Sequence, residues 1–128
     1  ARPAGDPPPL IGEIASPQPA PDDGPIDIAH LKRMTLGDAG LEREVLAMFL
    51  TQTARLLTTL RTRPADAALL AHTLKGSARA IGAGRVGACA GALEAAIRAG
   101  GDPAPTLAEL DAAVAQVRAS IEAILARP

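Results

Sequence analysis

His72, Lys75, Gly76 and Arg79 stand at i, i+3, i+4 and i+7, the spacing that lines residues up on one stripe of a helix. An imidazole, two cations and a gap in the side-chain surface would then share one face. A neutral imidazole is nucleophilic near pH 7, because its ordinary pKa is about 6.5. Lys75, one turn on, can neutralise phosphoryl oxygens as a mobile point charge, and Arg79 extends the positive stripe by another turn. Gly76 costs a helix about 1 kcal/mol relative to alanine. A bare backbone at that position lets another protein's surface come close to the imidazole. The chemistry expected of this pattern is phosphoryl acceptance at His72 in front of a docking partner.

The competing reading is a solvated helix histidine that happens to lie near a lysine. Only two lysines occur among thirteen basic residues, and one of them is here. Other motifs carry less. Gly82-Ala83-Gly84-Arg85-Val86-Gly87 matches GxGxxG, but a helix rather than a strand precedes it and no ribose-binding acid follows at the required distance. Those glycines are expected to shape a turn and let helices approach. His30 and His72 are the only histidines and lie far apart, and no Cys or carboxylate cluster has metal-ligand spacing. No metal site is therefore expected, and His30 reads as a surface or bundle-end residue. Ser77 lacks the strand-turn-helix elbow and the neighbouring base of a hydrolase nucleophile. Cys89 falls on an apolar stripe and reads as a small core residue.

The elements that must position the stripe are helices. Of the 128 residues, 48 % are hydrophobic, yet Phe49 is the sole aromatic. A core of Leu, Ile, Val and Ala suits close-packed helices better than a sheet. The formal net charge of −1 gives no electrostatic case for nucleic acid. A single cysteine excludes an internal disulfide and fits a reducing compartment. No apolar run approaches the ~20 residues that span a bilayer. A cytoplasmic, all-α domain is expected.

Eight of the twelve prolines fall in residues 1–25, too polar and too proline-rich to fold. That stretch reads as a flexible linker or tail, and residues 26–128 as the folded domain. Asp27 is a plausible N-cap for a short helix from Ile28 to Met34. A long helix is expected over about Leu41–Arg63, with Val45, Leu46, Phe49, Thr53, Leu56, Leu57 and Leu60 at helical spacing. Pro64 ends it, and the helix carrying His72 follows over about 65–81, closed by Gly82 in the left-handed region. A further helix over about 84–99 places Val86, Cys89, Ala90, Leu93 and Ile97 inward. After Gly100-Gly101, either Asp102-Pro103 or a capping box Thr106-x-x-Glu109 opens the last helix. Four long amphipathic helices with short turns predict an antiparallel four-helix bundle, its end capped by the short first helix.

His72-Thr73-Leu74-Lys75-Gly76-Ser77-Ala78, followed by Ile81-Gly82-Ala83, resembles the signature of the histidine-containing phosphotransfer (HPt) domain. The likeness extends to the opening segment Ile26-Asp27-Ile28 with Leu31, to Met48-Phe49-Leu50-Thr51-Gln52 and to Leu93-Glu94, over about residues 26–126. It implies a helical bundle whose histidine takes a phosphoryl group from a receiver-domain aspartate and passes it to another receiver. Carried over, His72 is the phosphorylation site through Nε2, Lys75 and Arg79 steady the phosphoryl group, and Gly76 leaves room for the receiver. Gln52 matches a family glutamine that orients the imidazole, and Met48, Thr51 and Ala80 border the stripe as docking candidates. The family's chemistry needs no cofactor on this chain, since the receiver supplies Mg²⁺ and the acidic pocket. The chain is then a phosphoryl carrier without autonomous catalysis.

The phosphotransfer domain of a chemotaxis-type kinase also carries a His-Thr-Leu-Lys-Gly-Ser-like run. It usually has an aromatic after the glycine, where Ala83 follows Gly82 here. The phosphoacceptor domain of a histidine kinase usually has an acidic residue after its histidine, where Thr73 stands. An inert helical interaction module is the remaining alternative. A proline-rich tether ahead of such a domain resembles the C-terminal end of a hybrid histidine kinase, in which tethering raises the effective concentration of the linked receiver.

Overall fold

A computed structural model describes residues 25–127. The proline-rich stretch, apart from Pro25, lies outside the described residues. Within them the chain forms five helices and no strand: α1 (Ile28–Met34), α2 (Ala39–Arg61), α3 (Ala67–Ile81), α4 (Gly84–Arg98) and α5 (Ala104–Leu125). The packing is cyclic. α2 lies against α3 and α5, α4 against α3 and α5, and α1 rests on α3.

Each long helix turns its apolar stripe to a common core. Leu46, Phe49, Leu57 and Leu60 come from α2, Ala71, Leu74, Ala78 and Ile81 from α3, Val86, Ala90 and Leu93 from α4, and Leu110, Val114, Val117 and Ile121 from α5. Val45, Leu56, Cys89 and Ile97 sit at its margin, only partly buried. Small residues on α3 and α4 let these two helices pack most extensively of all. A Cβ at Gly87 would stand 3.1 Å from Cγ of Arg79, and one at Gly91 would stand 3.2 Å from Cδ of Lys75. The two α4 glycines are thus the bed on which the α3 cations lie.

Caps account for the boundaries. Asp27 accepts from the His30 amide at 3.0 Å and starts α1 where expected. α2 begins at Ala39, earlier than Leu41, because Asp38 caps it by accepting from the Leu41 amide at 3.0 Å. It ends at Arg61 rather than Arg63, since Arg63 turns into the left-handed region at φ 52°. Asp66 makes no side-chain cap bond, and α3 starts at Ala67, two residues later than expected. At the other end Gly82 (φ 86°) closes α3 in a Schellman turn, with the Ala83 amide donating to Ala78 O and the Gly82 amide to Arg79 O. The capping box Thr106–Glu109 does not form. α5 opens three residues earlier, at Ala104, with Asp102 accepting from the Ala104 amide, and the Thr106 hydroxyl donates back to Pro103 O.

The segment before α1 is latched to the end of α3. The Asp27 amide donates to Gly82 O at 2.8 Å, and Nε2 of His30 donates to Ala80 O at 2.9 Å. His30, expected at the surface or a bundle end, thus satisfies a carbonyl that the last turn of α3 would otherwise leave unpaired.

Candidate functional site

α3 carries the reactive stripe because its opposite face is anchored by Ala71, Leu74, Ala78 and Ile81, all buried. That anchoring fixes the azimuth of His72, whose side chain is 57 % exposed. Nδ1 of His72 lies 3.1 and 3.2 Å from the two carboxylate oxygens of Glu94 on α4. A carboxylate only accepts, so Nδ1 carries a proton, and in the neutral ring that tautomer leaves the lone pair on Nε2. An oriented neutral imidazole of that tautomer is a nucleophile.

Glu94 gathers three partners. Oε1 takes Nζ of Lys75 at 3.1 Å and Oε2 takes Nε of Arg98 at 3.0 Å, with the imidazole set against both. Lys75, then Arg98 and His72, outweigh the opposing effect of burial and hold the Glu94 carboxyl at about 2, against an ordinary 4.5. Lys75 is therefore engaged rather than a loose point charge. Arg79 runs alongside Gly87 and makes no ion pair among the described residues. Gly76 is exposed, and a Cβ there would meet nothing within 4 Å. Among the described residues no group of three or more His, Cys, Asp and Glu is placed to hold a metal ion, and no helix is long and apolar enough to cross a membrane.

Met48, Thr51, Gln52 and Ala80 come together on the other flank of α3. With Met34, Arg55, Ser77 and others they line an open, mainly apolar groove of about 890 Å³ between α1, α2 and α3. Met48 is 68 % exposed. Gln52 faces this groove and makes no hydrogen bond to His72; the imidazole is held from α4 instead. Sequence reasoning gave Glu94 no role at the site, and it passed over Leu69, which is 59 % exposed one turn before His72.

α3 thus displays one oriented, exposed histidine beside a lysine and a glycine. The family model described as the Hpt domain matches residues 44–126, and the chain belongs to that family. Hpt domains are phosphocarriers rather than catalysts, so membership implies phosphotransfer in two-component signalling, with receiver domains as partners. The match starts inside α2, leaving α1 and the latch to α3 outside it. A search of curated proteins and a search of solved structures each give no match.

Proposed function

We propose that this chain is a phosphorelay intermediate: His72 accepts a phosphoryl group from a receiver-domain aspartate and hands it to the aspartate of another receiver. The observation that carries the reading is the bond from Nδ1 of His72 to Glu94, with the ring exposed beside Gly76. Nε2 attacks phosphorus, the N–P bond forms, and the P–O bond to the receiver carboxylate breaks. The carboxylate leaves with the electron pair, and the proton stays on Nδ1. The ring thereby becomes cationic, and Glu94 compensates it. Lys75 and Arg79 neutralise the phosphoryl oxygens, and the receiver contributes Mg²⁺. Gly76 admits the receiver's active site, while Met48, Thr51 and Ala80, with Gln52 at their edge, dock it. The cyclic packing of α2 to α5 supports an antiparallel four-helix bundle capped by α1. Residues 26–128 are then the domain, and the proline content of residues 1–25 is what supports reading them as its linker from a hybrid kinase.

The test is phosphoryl transfer from a phosphorylated receiver with Mg²⁺, with His72→Gln alongside. Acid-labile, base-stable label on the wild type alone is expected. Label from an ATP-charged kinase domain and from no receiver would replace the relay with a chemotaxis-type pathway. No label from any donor would make His72 an ordinary surface residue.

A further inference from the structure

The Glu94 carboxylate has more cationic partners than orienting an imidazole requires. Nζ of Lys75 takes Oε1 and Nε of Arg98 takes Oε2, while Nδ1 of His72 lies within reach of both oxygens. The two cations differ in the helix they stem from. Lys75 stems from α3, one turn from the histidine, and can turn to a phosphoryl group on that helix. Arg98 stems from α4, four residues beyond Glu94, in the last turn of that helix. Its side chain is 59 % exposed.

We propose that Arg98 is a positioning residue for His72, acting through Glu94: it holds the carboxylate on Nδ1 when Lys75 leaves Oε1 for the incoming phosphoryl group. The inference rests on the relay reading of His72. Charge explains why the task exists. Before phosphorylation Glu94 is balanced by Lys75 and Arg98. Once Lys75 turns with Arg79 to the phosphoryl oxygens, Arg98 is the cation left on the carboxylate. Without it a largely buried carboxylate keeps only the phosphorylated ring beside it, which is the costlier state. An exposed i, i+4 pair alone is worth little; here the shared acceptor is buried and also holds the reacting ring.

The experiment compares wild type, Arg98→Gln and Arg98→Lys, each phosphorylated by a receiver and separately by phosphoramidate, a small donor that needs no docking. Phosphohistidine lifetime is followed by ³¹P NMR, and the tautomer of His72 by ¹⁵N NMR before and after phosphorylation. The unphosphorylated tautomer should be the same in all three, since Lys75 still steadies Glu94. Phosphorylated Arg98→Gln should lose its label about fivefold faster from either donor, and Arg98→Lys should recover most of the lifetime. A merely structural Arg98 would lower the unfolding temperature and leave the lifetime unchanged, and that result overturns the proposal. If the wild type takes no label from either donor, the relay reading fails and this inference falls with it. Normal wild-type labelling with an unaltered Arg98→Gln lifetime removes the inference alone.

Discussion

Gly76 separates what the fold needs from what a partner needs. It lies inside α3, where glycine costs about 1 kcal/mol relative to alanine. Nothing lies within 4 Å of the position its Cβ would take, so no clash offsets the gain from replacing it. Gly76→Ala should therefore stabilise the domain by about 1 kcal/mol, a rise of about 4–8 °C in Tm for a domain of this size. Gly76→Gln should keep about half of that, because glutamine is a slightly poorer helix former than alanine. Transfer should move the opposite way. A methyl at residue 76 narrows the approach to His72, and a glutamine side chain obstructs it, so Gly76→Gln should slow transfer from a phosphorylated receiver by tenfold or more, about 1.4 kcal/mol or above. Labelling by phosphoramidate should be nearly unchanged, because that donor is small. Thermal unfolding and the two labelling rates on the same preparations make the comparison. Variants that gain stability and still take the group from a receiver at the wild-type rate refute the reasoning, and so does a fall in Tm.

Four further outcomes follow from individual contacts. Glu94 keeps its charge down to about pH 2, chiefly through Lys75. A lowered folded-state pKa means its stabilisation is full above about pH 4.5 and fades as pH falls through about 2; Glu94→Gln should lose that acid limb in circular-dichroism titrations, and an unchanged limb would dismiss the pairing. Thr53 buries a hydroxyl with no hydrogen-bond partner, whereas Thr51, Thr59 and Thr73 each donate to the carbonyl four residues back. Thr53→Val should stabilise by about 1 kcal/mol, and a lower denaturation midpoint would contradict this. Met48→Asp should leave stability within about 0.5 kcal/mol, since the side chain is exposed, while weakening receiver transfer; undiminished transfer would move the docking face elsewhere. Gly82→Ala meets Asp27 O at 2.9 Å and takes alanine to φ 86°, so it should cost about 2 kcal/mol or more, and a Tm within a degree of wild type would show the latch is dispensable.

What the sequence revealed follows from whether a relation is local. α1 is legible to the residue because Asp27, its cap, and Leu31, its one buried side chain, both stand in the same short run. His72, Lys75 and Gly76 are legible as a group because one helix sets their spacing. Their relation to α4 is not, because it depends on how two helices are rotated against each other. Leu93-Glu94 therefore carried a family likeness but no role. A signal was present nonetheless: Glu94 is the only acid in α4 and continues the stripe of Gly87 and Gly91 at i, i+4 and i+7. Gln52, given the orienting role by family likeness, shares its helix face with Met48 and lines the groove. Boundaries drifted by two residues where a turn, not a periodicity, decided them, as at Arg63 and Asp66.

The two flanks of His72 are unlike, and on the relay reading that asymmetry sets the side from which a receiver reaches it. Towards α4 the glycines Gly87 and Gly91 let the stems of Arg79 and Lys75 lie flat, and Glu94 and Arg98 close the rest of that flank with charge. Nδ1 is committed to that side, so Nε2 is turned away from α4. On the opposite side stand Gly76 without a side chain, Ala80 at the groove and exposed Leu69. On the relay reading, a receiver seated in the groove meets the nucleophilic nitrogen across small or apolar residues and leaves the Arg98–Glu94 pair behind the ring intact. Attack in line with the bond to be broken requires that the holding contacts and the approaching partner occupy different sides of the imidazole. α3 meets that requirement by giving one edge of its histidine to α4 and leaving the other to the partner.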